Sequence, residues 1–171
     1  MKLVTFKLLK MRALKNILLV LCAILMIRAG RYSPEPVTFA GSTPCTGLTM
    51  RILAIPSETN CEFVKWKLML SRDPRNQKPT FFKLNITYGM SKPSTQGFMD
   101  GGKSSVIEGN WSLSKNKGKS PGDSIVGLYA RSPERQISLL ELDENLLHLL
   151  DNEGRLMIGD ASFGYTLNRQ K

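Results

Sequence analysis

Cys61–Ser71 reads CEFVKWKLMLS. Val64, Trp66, Leu68 and Leu70 recur at every second position, with Lys65 and Lys67 between them beside Phe63 and Met69. Strand side chains alternate between two faces, so this spacing predicts a strand with one apolar face. Thr80–Tyr88 repeats the pattern: Phe82, Leu84, Ile86 and Tyr88 share one face, and Lys83, Asn85 and Thr87 the other. Between the two lies Asp73-Pro-Arg-Asn-Gln-Lys-Pro79. Proline cannot donate to a ladder, and Asp and Asn favour turns, so the segment reads as a reversal. Together the two runs predict an antiparallel hairpin with one apolar and one wet face.

Short runs of this kind continue along the chain. Val106–Lys115 places Ile107, Trp111 and Leu113 on one face, with Gly109 among them as a bulge or a point of tight curvature. Ser124–Arg131, Gln136–Leu142, Leu146–Leu150, Arg155–Ile158 and Phe163–Asn168 follow, separated by turn-rich segments. Gly89–Ser105 reads as a loop with a short strand near Gln96–Met99. Leu139–Leu150 is leucine-rich enough for a helix, but Asp143-Glu144-Asn145 favours a hairpin. No amphipathic helix of convincing length is expected beyond residue 31.

About eight consecutive strands with one apolar face can curl and close, which removes exposed edges. The predicted fold is therefore all-β: an antiparallel up-and-down barrel of about eight strands. The interior of such a barrel is filled by side chains or holds one small ligand. Trp66, Phe82, Tyr88, Trp111 and Tyr129 are the candidates for lining it, and core packing accounts for all five.

The N-terminal part differs in character. Ile17–Ile27 is an uncharged run, ILLVLCAILMI, preceded by Arg12 and Lys15. A basic stretch before an apolar run of this length predicts a signal peptide or an uncleaved membrane anchor over residues 1–31. The run is short for a spanning helix, which needs about 20 apolar residues. Residues 32–37, with Pro34 and Pro36, read as a linker, and 38–171 as the barrel domain. Membrane contact is expected only through the N-terminal segment, with the domain in the periplasm or cell envelope.

The net charge of +10 resolves along the same boundary. Lys2, Lys7, Lys10, Arg12, Lys15, Arg28 and Arg31 fall in residues 1–31, which hold no Asp or Glu, and +3 remains for the rest. That is too weak a footprint for phosphate backbones, so nucleic acid is not an expected partner.

Beyond the leader there are two cysteines, Cys45 and Cys61, enclosing 15 residues. In an oxidising compartment they can pair; the alternative is two buried free thiols. As metal ligands they are weak candidates together with His148, the sole histidine, since a closed site needs more donors. Met50, Met69, Met90, Met99 and Met157 carry soft thioethers suited to Cu(I), but they are dispersed in sequence and read as packing residues. His148 lies between leucines as a satisfied, partly buried histidine would. There is no nucleophile elbow, and turn formation explains Asp143, Glu144, Asp151 and Glu153. No catalytic residues are assigned, and an enzyme is not expected.

Several strings, in order, carry a family resemblance. They are Phe39-Ala-Gly-Ser-Thr-Pro-Cys45; Cys61 leading into Lys65-Trp66-Lys67-Leu68 and Arg72-Asp73-Pro74; Gly109-Asn110-Trp111-Ser112-Leu113; Ile137–Leu142; Asn145-Leu-Leu-His-Leu-Leu-Asp151; and Gly164-Tyr165-Thr166-Leu167-Asn168-Arg169. Over roughly residues 38–169 the chain resembles exported Bacteroidetes proteins related to the N-terminal domain of NlpE, the copper-resistance and envelope-stress lipoprotein. The resemblance implies a lipocalin-like β-barrel. It implies an envelope protein that binds, in stress sensing or copper homeostasis, rather than one that catalyses. No cofactor is required on this reading, and copper is a possible ligand. The family's Cys-x-x-Cys after the first strand is represented here by Cys45 alone, in Pro44-Cys45-Thr46-Gly47-Leu48, and no lipid-modified cysteine is evident. The alternatives are a lipocalin-like carrier of a small apolar ligand and a structural envelope domain.

Overall fold

The computed structural model describes residues 35–115, 124–131 and 134–171. The leader at 1–31 and residues 32–34 of the linker lie outside these. Eight strands form one closed antiparallel barrel, each hydrogen-bonded to its neighbours in chain order. They are β1 (Val37–Pro44), β2 (Phe63–Arg72), β3 (Pro79–Gly89), β4 (Lys103–Lys115), β5 (Ser124–Arg131), β6 (Glu134–Asp143), β7 (Leu146–Leu149) and β8 (Thr166–Arg169). One helix, α1 (Gly47–Leu53), follows β1.

The alternation of the opening hairpin decides what faces inward. Val64, Trp66, Leu68 and Leu70 are buried, and the β2–β3 register sets Trp66 opposite Ile86, Leu68 opposite Leu84 and Leu70 opposite Phe82. Leu128, Ile137, Leu139, Leu147, Leu149 and Leu167 complete the buried centre. Burying each such side chain is worth about 1.5–3 kcal/mol. At the β2–β3 reversal, the Asp73 carboxylate accepts from the Arg75 backbone N–H at 2.8 Å. The β6–β7 hairpin turns on the same device, with the Asn145 N–H donating to Asp143 Oδ1 at 2.7 Å. The leucine-rich stretch 139–150 is thus a hairpin, not a helix.

The strand tally matches expectation, but its membership differs. β1 replaces Arg155–Ile158, and Val37 belongs to β1 rather than to a linker. Within its sequence, VTFAGSTP, Gly41 stands where a side chain has no room. A Cβ on Gly41 would sit 2.6 Å from the Thr166 carbonyl oxygen and 2.8 Å from Leu167 Cδ2. Closure rests on this approach, with Phe39 opposite Arg169 and Ala40 opposite Asn168. Arg155–Ile158 contributes one isolated bridge, Leu150 to Leu156, and leaves Ile158 90% exposed. The expected strand near Gln96–Met99 is likewise a single bridge, Ser91 to Phe98. Phe163 does not face inward with Tyr165 and Leu167. It stacks on Phe63 outside the barrel core, and Phe98 covers the other face of that ring.

The helix is the second departure from expectation. Seven residues are too few to display a period, but the caps are clear. Thr46 Oγ1 accepts from the Thr49 N–H at 3.3 Å. Ala54 ends the helix in the left-handed region at φ 53°, and its N–H bonds the Arg51 carbonyl oxygen at 3.2 Å. Leu53, Ile55 and Thr49 are buried, so α1 stops the end of the barrel at which Pro44 and Phe63 pair.

Candidate functional site

Cys45 and Cys61 form a disulfide with Cα atoms 5.7 Å apart. It joins the end of β1 to the residues entering β2 and clips the loop that carries α1. Neither cysteine therefore offers a thiolate, which removes both from the metal candidates. His148 is also engaged at both ring nitrogens. Nδ1 lies 2.9 Å from Thr166 Oγ1 and Nε2 lies 2.8 Å from the Met157 carbonyl oxygen. A carbonyl only accepts, so Nε2 carries the proton and Nδ1 accepts from the Thr166 hydroxyl when the ring is neutral. His148 thus holds the 151–165 loop against β7 and β8. Among the described residues, no group of three or more His, Cys, Asp or Glu could hold a metal ion.

Of the five lining candidates, Trp66, Phe82 and Trp111 face inward and are buried. Tyr88 is half-buried and packs against the core. Tyr129 is a correction: it points outward and is 45% exposed. In β5 both parities hold apolar residues. The pairing of Leu128 with Trp111 turns Val126, Leu128 and Ala130 inward and Tyr129 out. The ring lies over Gly127, and its hydroxyl is 3.4 Å from Ser112 Oγ.

Among the described residues no helix covers the end opposite α1. There a cup of about 210 Å³ descends to the buried side chains of Phe39, Leu70, Trp111, Val126 and Leu147. Val37 and Leu113 form its apolar lip, and Leu113 is 41% exposed. Four charged residues share the rim: Arg72 from β2, Glu141 from β6, Glu144 from the β6–β7 turn and Arg169 from β8. Arg72 is positioned over the Trp111 ring, its guanidinium carbon 4.7 Å from the centroid, and donates to the Gln77 carbonyl oxygen at 2.9 Å. The indole N–H of Trp111 donates to the Ser71 carbonyl oxygen at 2.7 Å. Floor, stacked cation and β2–β3 turn are thereby joined.

Among the described residues the ion pairs are Lys83–Glu108, Arg155–Asp151 and Arg155–Glu153. None neutralises a rim charge. Arg72, Glu141 and Arg169 escaped the sequence reading although parity reaches each of them: Arg72 follows Leu70, Glu141 follows Leu139 and Arg169 follows Leu167 by two. Their meeting depends on closure between β1 and β8.

The fold and site define a class: a small antiparallel barrel with a helix-stopped end and an open, charged-rimmed mouth. Neither family models, nor curated proteins, nor solved structures match the chain.

Proposed function

We propose that this chain is an exported envelope protein of the NlpE-like type that acts by binding, through the open mouth of its barrel, rather than by catalysis. The observation that carries the reading is the cup itself. An apolar floor containing Trp111 lies under a rim of charges that, among the described residues, form no ion pair, at the barrel end that α1 does not stop. Recognition surfaces commonly place a buried aromatic anchor beneath a polar rim. The cup favours recognition over transport of a bulky apolar cargo. At about 210 Å³ it falls below the roughly 300 Å³ at which pockets for drug-sized ligands begin. With Cys45, Cys61 and His148 engaged elsewhere, a role in envelope stress sensing fits the residues better than one in copper homeostasis.

The test is comparative co-purification from the envelope of the native host. Leu113→Asp places a charge on an exposed lip position without touching the buried floor. Wild type is expected to retain a protein or small molecule that the variant loses. Identical bound material on both proteins would remove the mouth from the function.

A further inference from the structure

The rim charges specify more than an opening. The two carboxylates, Glu141 and Glu144, come from β6 and the turn after it, while the two guanidinium groups come from β2 and β8. Around the barrel, Val37 and Phe39 on β1 lie between the two guanidinium groups, and Leu113 and Val126, on β4 and β5, lie between Arg72 and Glu141. Charges of opposite sign that share one small mouth, and that form no ion pair among the described residues, are complementary to a ligand bearing both signs. A ligand with only one sign would leave the opposing pair facing its apolar body, and burying an unpaired charge is costly. A volume of about 210 Å³ suits a body of roughly a dozen non-hydrogen atoms.

We infer that the cup binds a small zwitterion with an apolar side chain, of the size and chemistry of a free hydrophobic α-amino acid. The ammonium group faces Glu141 and Glu144. The carboxylate faces Arg169, and Arg72 remains stacked on Trp111. The side chain rests on the Trp111, Phe39 and Leu70 floor. Arg72 is already committed to the Gln77 carbonyl, which leaves Arg169 as the principal carboxylate donor. The inference rests on the mouth reading above and narrows it to one ligand class.

The experiment titrates the full chain with L-phenylalanine, 3-phenylpropionate and 2-phenylethylamine, three probes that share an aromatic body and differ in charge. The readout is the indole N–H resonance of Trp111, distinguished from that of Trp66 by a Trp66→Phe protein. L-phenylalanine is expected to shift it saturably, with Kd on the order of 0.1–1 mM for so small a ligand. Each singly charged probe should bind about five- to tenfold more weakly, as loss of one charge-assisted contact implies. Glu141→Gln should make L-phenylalanine no better than 3-phenylpropionate, and Arg169→Gln no better than 2-phenylethylamine. Equal binding of all three probes would overturn the zwitterion assignment while leaving a ligand-binding mouth. No response to any probe would also overturn it. The mouth reading would then stand or fall separately on the Leu113→Asp comparison.

Discussion

Inside the barrel the indole N–H of Trp66 donates to Thr43 Oγ1 at 2.9 Å, and both residues are buried. The bond ties β2 to β1 at the end that α1 stops. Thr43→Val keeps the shape but leaves the indole N–H without its partner. It should cost about 1–3 kcal/mol, the penalty for an orphaned buried donor. Trp66→Phe removes the donor and some packing together. In the double variant the two losses should add to less than their sum, because the bond can be lost only once. Urea unfolding of the four proteins measures this; full additivity would show that the bond contributes nothing.

The Cys45–Cys61 disulfide closes a loop with a sequence separation of 16. Constraint of the unfolded chain by a loop of that size is worth about 3 kcal/mol. Denaturant unfolding with and without a reductant should reveal a difference of that order. A Cys45→Ala/Cys61→Ala protein should match the reduced form. An unchanged midpoint would place the stabilisation of α1 in its capping and burial alone.

Two backbone positions predict changes of opposite sign. A Cβ on Gly109 would overlap the Tyr129 carbonyl oxygen and lie 2.9 Å from the Phe82 ring. A carbonyl within a paired strand cannot yield cheaply, so Gly109→Ala should cost 3 kcal/mol or more, about the upper range for overpacking. At Ala54 the left-handed φ of 53° is a conformation that costs an L residue about 1–2 kcal/mol. Ala54→Gly relieves that strain but adds freedom to the unfolded chain. The net expectation is a gain of about 0.5 kcal/mol. Thermal melts of both variants decide the signs.

Acid stability has an identifiable local contributor. The backbone N–H of Arg155 donates to the Asp151 carboxylate at 2.9 Å. This bond, with the Arg155 side chain and the Glu153 N–H, holds the Asp151 pKa below its ordinary value. A carboxyl whose folded pKa is depressed lends stability above its unfolded pKa. That contribution disappears as pH falls through the folded value. Asp151→Asn should therefore flatten the pH dependence of stability in the range just below the ordinary aspartate pKa and leave it unchanged near neutrality. Carboxyl-carbon NMR would locate the Asp151 titration directly; a value at or above the ordinary one would refute the assignment.

Alternation in the run 63–89 determined the apolar face, the hairpin and, by repetition through 141, an antiparallel sheet whose inner surface is Val64, Trp66, Leu84, Ile107 and their equivalents. These features were legible because side-chain direction in a strand is a local property with a period of two. The tertiary structure decided the rest. It drew VTFAGSTP into the wall, where Gly41 is needed only because β8 passes over it. It set seven residues of helix as a stopper under a disulfide, and it chose which apolar parity of β5 faces inward. It also brought Arg72, Glu141 and Arg169 to one rim. Each of these depends on residues far apart in the chain, such as Phe39 against Arg169, and no local window of sequence carries the energy of a contact between its two ends.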